Sequence, residues 1–212
     1  MNTHSLFAKT PPVRLFFTAA IPGAISMLAS ALYQLIDGVF VGRILGETAF
    51  AALNLSMPFV IINFALADLI GVGSSVPISI SLGQKRDAAA NNIFSCACAM
   101  IVGAGVAVGA LLYAAPLLIA LMGASGEFAE LAVAYLRVYA LCSPVTTIVF
   151  AMDNYLRICG KVRGSMLLNI LMSVLSAALE FLFLFVLDLG IIGAALGTCS
   201  GMILCALIAF FA

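Results

Sequence analysis

The chain has 212 residues, 65% of them hydrophobic and 8% charged, and its nine basic and nine acidic residues leave no net charge. A soluble domain carries about 25% charged residues, so a soluble globular protein of this length is excluded. The balanced charge gives no basic surface for a nucleic-acid partner, and the composition is that of an all-α integral membrane protein.

A spanning helix needs about 20 apolar residues. Cutting the chain at its charged or glycine-rich breaks leaves six such stretches, about 13–42, 49–82, 90–121, 128–157, 164–187 and 190–212. They predict a single six-helix transmembrane lobe. The first ten residues are polar and the first apolar run is too long for a signal-peptide core, so no cleavable leader is expected. All the breaks are short, so neighbouring helices are expected to run antiparallel. Pro58 and Pro77 lie inside the second stretch, which is longer than one span and is expected to tilt or kink. The chain stops at Phe210-Phe211-Ala212, still apolar and with no basic flank. The chain is therefore expected to be a fragment of a longer one, with membrane lipid around it.

Basic residues alternate between the breaks. Lys9 and Arg14 precede the first helix, Lys85 and Arg86 lie in the second break, and Arg157, Lys161 and Arg163 in the fourth. The other breaks hold Arg43 against Glu47, Glu127 and Asp188. By the positive-inside rule the N-terminus and the second and fourth breaks are cytoplasmic.

The first stretch carries a carboxylate at membrane depth. Ser26, Ser30, Tyr33 and Asp37 follow one another at spacings of four, three and four, so they share one helix face. Asp37 lies nine residues before Gly46, roughly 13 Å below the outer surface. Glu180 lies eight residues before Asp188, and Thr198 eight residues into the last stretch, each roughly 12 Å deep. Glu180 heads a second stripe, Asn169, Ser173, Ser176 and Glu180, with the same spacing. A charge at that depth usually faces a partner or a water-filled cavity. The stripes predict a cation site of Asp37 and Glu180 with Thr198 at the same level, where a monovalent cation would compete with protons. Tyr33, Gln34, Ser30, Asn169 and Ser173 are candidate lining groups. Pro22, below the stripe, is the expected pivot for bending the first helix on occupancy. The alternative is that each carboxylate is neutral and hydrogen-bonded to a neighbouring helix for packing.

Other features read as structure. Asp153 and Arg157 are an i,i+4 ion pair near a helix end. Arg137 either pairs with an acid or snorkels outward. Gly193, Gly197 and Gly201 form a small-residue ladder that lets helices approach closely. The six cysteines show neither metal-ligand nor CxxC spacing, and read as small buried hydrophobes. Asp68 belongs to the inner half, where both a structural and a functional role fit it. Gly123-Ala124-Ser125-Gly126 resembles the GxSG of rhomboid intramembrane proteases, but the only histidine, His4, precedes the first helix on the opposite side. A serine nucleophile needs a base within reach. No enzyme activity and no cofactor beyond a coupling ion are expected.

Four stretches carry a family resemblance: LYQLIDGVFVGRILG (32–46), SISLGQKRDAAANN (79–92), NYLRICGKVRGSML (154–167) and LEFLFLFVLDLGIIGAALGT (179–198). In this order and spacing the chain resembles the N-terminal lobe of the multidrug and toxic compound extrusion (MATE) transporters, in their bacterial multidrug branch. The resemblance implies one lobe of a twelve-helix protein in the bacterial inner membrane, with a second lobe, covalent or separate, as its partner. Its two lobes would flank a central cavity and export cationic, amphipathic drugs by sodium or proton antiport. It also implies that acidic residues at Asp37 and Glu180, an Asn at Ser176 and a Thr at Thr198 contribute to a cation site. Here Glu stands for the usual Asp at 180, and Ser for the Asn at 176. Lipid-linked oligosaccharide flippases share the fold and are the alternative within transport; a non-transporting membrane assembly subunit is the alternative outside it.

Overall fold

The computed structural model describes residues 11–211, in which every regular element is helical. His4 and Lys9, invoked above, lie outside the described residues. Lipid offers no partner for backbone N–H and C=O groups, so a chain this apolar closes them within helices. In chain order these are α1 (Pro12–Ile44), α2 (Glu47–Gly83), α3 (Asp87–Tyr113), the short α4 (Ala115–Leu121), α5 (Glu127–Ile158), α6 (Val162–Phe181) and α7 (Gly190–Phe211). Among the described residues six helices are long and apolar enough to cross a membrane. The architecture is an all-α membrane lobe.

Two departures from the predicted stretches have local causes. The third stretch divides into α3 and α4 at Ala114, because Pro116 cannot donate the next helical hydrogen bond and crowds the residue before it. The fifth continues beyond α6 as a π-helical turn over Leu182–Val186, which begins two residues after Glu180. Such turns insert an extra residue and often mark functional sites. The corners are tight. Gly46 enters α2 at φ 90°, a backbone region where a side chain would be strained, so α1 can reverse into α2 within two residues. Pro58 and Pro77 are carried inside a continuous α2.

Helix α5 is the hub, packing on α2, α3 and α7 and more lightly on α6 and α4. One core cluster gathers Val41, Leu53, Leu112, Leu136, Leu184 and Ile191. A second, around Ile78, Ile101 and Tyr155, ties α2, α3 and α5 together near the α2–α3 turn. The contact of α3 with α5 uses a proline. Pro144 lacks the N–H that Ala140 would accept. Gly109 of α3 approaches there so closely that an added Cβ would stand 2.7 Å from the Ala140 carbonyl oxygen. At Gly105 it would stand 2.8 Å from the Pro144 Cα.

The predicted glycine ladder is a packing seam between α6 and α7. A Cβ on Gly197 would meet the Glu180 Cα at 2.5 Å, and one on Gly201 the Ser176 Cα at 2.7 Å. Helix α1 is held differently: it lies along α6 and touches α2 and α7 only lightly. Met27, Leu28, Leu32 and Leu35 consequently remain exposed on its outer side.

Candidate functional site: a buried carboxylate pair between α1, α6 and α7

The close approach of α6 to α7 fixes where Glu180 sits. With no side chain on Gly197, α7 lies against the Glu180 backbone, and Glu180 itself has no solvent exposure. From the other side α1 brings Asp37, 5% exposed. Asp37 and Glu180 lie close enough to interact electrostatically with each other, and both act on Tyr33. Tyr33, one turn from Asp37, shares a hydrogen bond of 2.7 Å with the Thr198 hydroxyl, and so joins α1 to α7. The Thr198 hydroxyl is also in reach of the Ala194 carbonyl at 3.2 Å. Tyr135 of α5 forms the inner wall, buried and within electrostatic reach of Asp37 and Tyr33.

The polar atoms here are under-satisfied. Asp37 Oδ1, both carboxyl oxygens of Glu180 and the Ser176 hydroxyl are buried without a well-formed hydrogen bond to protein. A buried polar group without a partner costs about 1–3 kcal/mol, and a charged one more. Native proteins keep such groups where an ion, water or a proton completes them. The donor set is all oxygen, which suits a hard cation.

The sequence-predicted residues divide into two groups. Asp37, Glu180, Thr198 and Tyr33 converge, and Ser176 is buried one turn along α6, against Gly201. Ser30 is half-buried on α1, Gln34 is exposed, and Ser26 donates back to the Pro22 carbonyl at 3.0 Å. Asn169 and Ser173 are engaged elsewhere: Asn169 donates to Asp153 at 2.7 Å, and Ser173 to the Asn169 carbonyl at 3.0 Å.

Asp153 anchors a second polar cluster at the junction of α5 and α6. Arg157 pairs with it at 2.7 Å, and the Ser165 hydroxyl donates to it while accepting from Arg157 Nε at 3.2 Å. Asp68 accepts a hydrogen bond of 2.7 Å from Asn154. Arg137 is exposed on α5.

Sequence reasoning missed a third group. Asn63 of α2 donates to the Tyr139 hydroxyl at 3.4 Å and accepts from Ser143 at 3.2 Å, while Ser143 also reaches the Gly105 carbonyl at 3.0 Å. The available signal was an isolated Asn in an apolar helix with Tyr139 and Ser143 spaced four apart. The contacts are internally complete and lock α2, α3 and α5.

An all-helical membrane lobe of six spans is the architecture of half a membrane transporter. The MatE family model matches residues 22–182, and the chain belongs to that family, whose members are multipass membrane transporters. It is 30% identical over 207 residues to multidrug export protein MepA of Staphylococcus aureus (strain NCTC 8325 / PS 47), a match covering 95% of this chain and 45% of that protein. A crystal structure of MATE in the bent conformation aligns with a TM-score of 0.89 at 30% identity, covering 100% of this chain and 47% of that one. MATE in the straight conformation aligns with a TM-score of 0.90 at 29% identity, covering 99% and 46%. The chain thus spans about half the length of the curated relatives it matches.

Proposed function

We propose that this chain acts as the N-terminal lobe of an antiporter that exports cationic, amphipathic drugs in exchange for sodium or protons. It would work in the bacterial inner membrane with its N-terminus in the cytoplasm. The observation that carries the reading is the pair Asp37 and Glu180, buried on different helices with Asp37 Oδ1 and both Glu180 carboxyl oxygens unsatisfied. Two like charges in a poorly solvated site repel, and a bound cation or proton removes the repulsion. Asp37, Glu180, Ser176 and Thr198 would supply the oxygens that hold sodium, and Tyr33 orients Thr198 through their shared hydrogen bond.

Coupling follows from how α1 is mounted. Its long contact is with α6, the helix that carries Glu180, and it touches α2 and α7 only lightly. Neutralising the pair changes the force between α1 and α6 directly, while the rest of α1 is free to bend or shift. Pro22, which cannot complete the helical ladder, is the natural pivot. Glu180 extends one methylene further than an Asp would, so it reaches further towards α1, while Gly197 lets α7 lie against its backbone. The name of the staphylococcal relative, multidrug export protein, supports drugs as the cargo.

The test is ethidium efflux from cells carrying the full-length transporter at matched expression. Asp37→Asn keeps hydrogen-bonding capacity but removes the charge. Efflux by this variant should fall to background, and by Glu180→Gln likewise. Wild-type efflux in Asp37→Asn overturns the coupling role.

A further inference from the structure

We infer that the seam between α2 and α5 at Asp68 is a capture site for amphipathic cations arriving from the leaflet at the basic end of the lobe. This rests on the drug-export reading above but concerns a site separate from Asp37 and Glu180.

Asp68 is half-exposed, and among the described residues its hydrogen-bond partner is Asn154 and no basic side chain pairs with it. Asn154 lies four residues before the end of α5 at Ile158, which puts the Asp68 carboxylate roughly 6 Å inside that end. The turn that follows α5 carries Lys161, seven residues past Asn154, and Arg163 lies nine past it, so the level is that of the headgroups on the basic side. Helix α2 runs on for fifteen residues beyond Asp68 before Lys85 and Arg86. Arg157, the nearest basic residue in sequence, is committed to Asp153.

One helical turn deeper, Phe64 of α2 and Phe150 of α5 meet edge to face with ring centroids 4.7 Å apart. Phe64 is 42% exposed, and Ile61 beside it 59%. Both aromatic residues lie four positions from the polar pair, Phe64 from Asp68 and Phe150 from Asn154. The seam therefore presents a carboxylate at headgroup level and an aromatic surface one turn towards the membrane centre. An amphipathic cation lying in a leaflet has the same order, charge at the interface and apolar body below it. Asn154 donates to one oxygen of Asp68 and fixes the carboxylate plane, which leaves the other oxygen for an ammonium or phosphonium charge. The exposed Phe64 ring adds cation–π and apolar contact. The neighbouring seam residues offer a cation no second acidic group: Ser74 is bonded to Tyr155 at 2.7 Å, and Gly71 packs against Ala151.

The experiment is equilibrium binding of radiolabelled tetraphenylphosphonium to the purified full-length transporter in zwitterionic-lipid nanodiscs, with empty nanodiscs subtracted. Asp68→Asn retains an acceptor for Asn154, and its affinity should fall about tenfold or more, the low end for close charge pairs at interfaces. Phe64→Ala should weaken binding about two- to fivefold, the range of a cation–π contact. Asp68→Glu should keep saturable binding, and uncharged triphenylphosphine oxide should not distinguish Asp68→Asn from wild type. Thermal unfolding of each variant, matching wild type, separates lost binding from lost fold. Unchanged tetraphenylphosphonium affinity in a folded Asp68→Asn, or no saturable binding by wild type, overturns the capture site. Both readouts are independent of efflux, so failure of the antiport reading shows separately, as wild-type ethidium efflux no greater than background.

Discussion

Asp37 and Glu180 were visible in the sequence because a carboxylate inside a long apolar run has no inexpensive place to go. Their shared level followed from counting residues back to the nearest turn. Asn169 shows where that reasoning ends. It lies on the same face of α6 as Glu180, but eleven residues and roughly 16 Å away, so the two ends of one stripe meet different neighbours. The partner at the far end is Asp153, on another helix, and spacing along α6 carries no information about it. At this scale the site makes a thermal prediction. Sodium should raise the melting temperature of the full-length protein, and the double variant Asp37→Asn, Glu180→Gln should abolish that rise. A ligand at 100 times its dissociation constant stabilises by about 2.7 kcal/mol, a shift well within the reach of a melting experiment. Sodium stabilisation that survives in the double variant would locate the ion elsewhere. Tyr33→Phe removes the bond to Thr198 and should cost about 1 kcal/mol of stability.

Between elements, glycines decide which helices can touch. The ladder on α7 was legible as a packing signal, but its partner was not, because nothing in a four-residue repeat names the opposing helix. The structure assigns it to α6, directly behind the candidate site. Helix α3 offers the cleanest comparison, since Gly103 and Gly105 are two residues apart in one helix. A Cβ on Gly103 meets nothing within 4 Å, while one on Gly105 would lie 2.8 Å from the Pro144 backbone. Gly103→Ala should leave the melting temperature unchanged or slightly raised, as expected from helix propensity. Gly105→Ala should destabilise by about 1–3 kcal/mol, the usual cost of overpacking. Equal melting temperatures for the two would refute the close α3–α5 contact. The π-helical turn after Glu180 and the break at Ala114 were not legible, for a related reason. An apolar run looks alike whether its hydrogen bonds skip four residues or five, and Pro116 reads equally as a kink or a break. Pro22 bears on motion: the lobe aligns about equally well with bent and straight MATE conformations, at TM-scores of 0.89 and 0.90. If α1 pivots at Pro22, then Pro22→Ala should restore a helical hydrogen bond and slow efflux while leaving tetraphenylphosphonium binding intact. Unimpaired efflux would exclude Pro22 as the pivot.

For the whole molecule, six spans and short connections were enough to predict the architecture, because lipid permits so few ways of satisfying a backbone. What the lobe does by itself follows from its surfaces. The carboxylate pair is enclosed by α1, α5, α6 and α7, whereas Phe64 and Asp68 stand on the open flank of α2. Ion binding and substrate contact would therefore occupy different faces, and a cavity that joins them needs a second wall. The curated relatives are about twice as long as this chain, consistent with that wall being another lobe. Residues 1–212 reconstituted alone into vesicles should then bind sodium at Asp37 and Glu180, seen as thermal stabilisation, yet release no preloaded ethidium down a sodium or proton gradient. Restoring the remaining half of the full-length protein should restore release. Gradient-driven efflux by residues 1–212 as a monomer would show that one lobe encloses a complete pathway and would overturn the two-lobe reading. Efflux that rises with the square of protein density would instead assign the second wall to another copy of the same chain, whose α2 flank would then face its own symmetry mate.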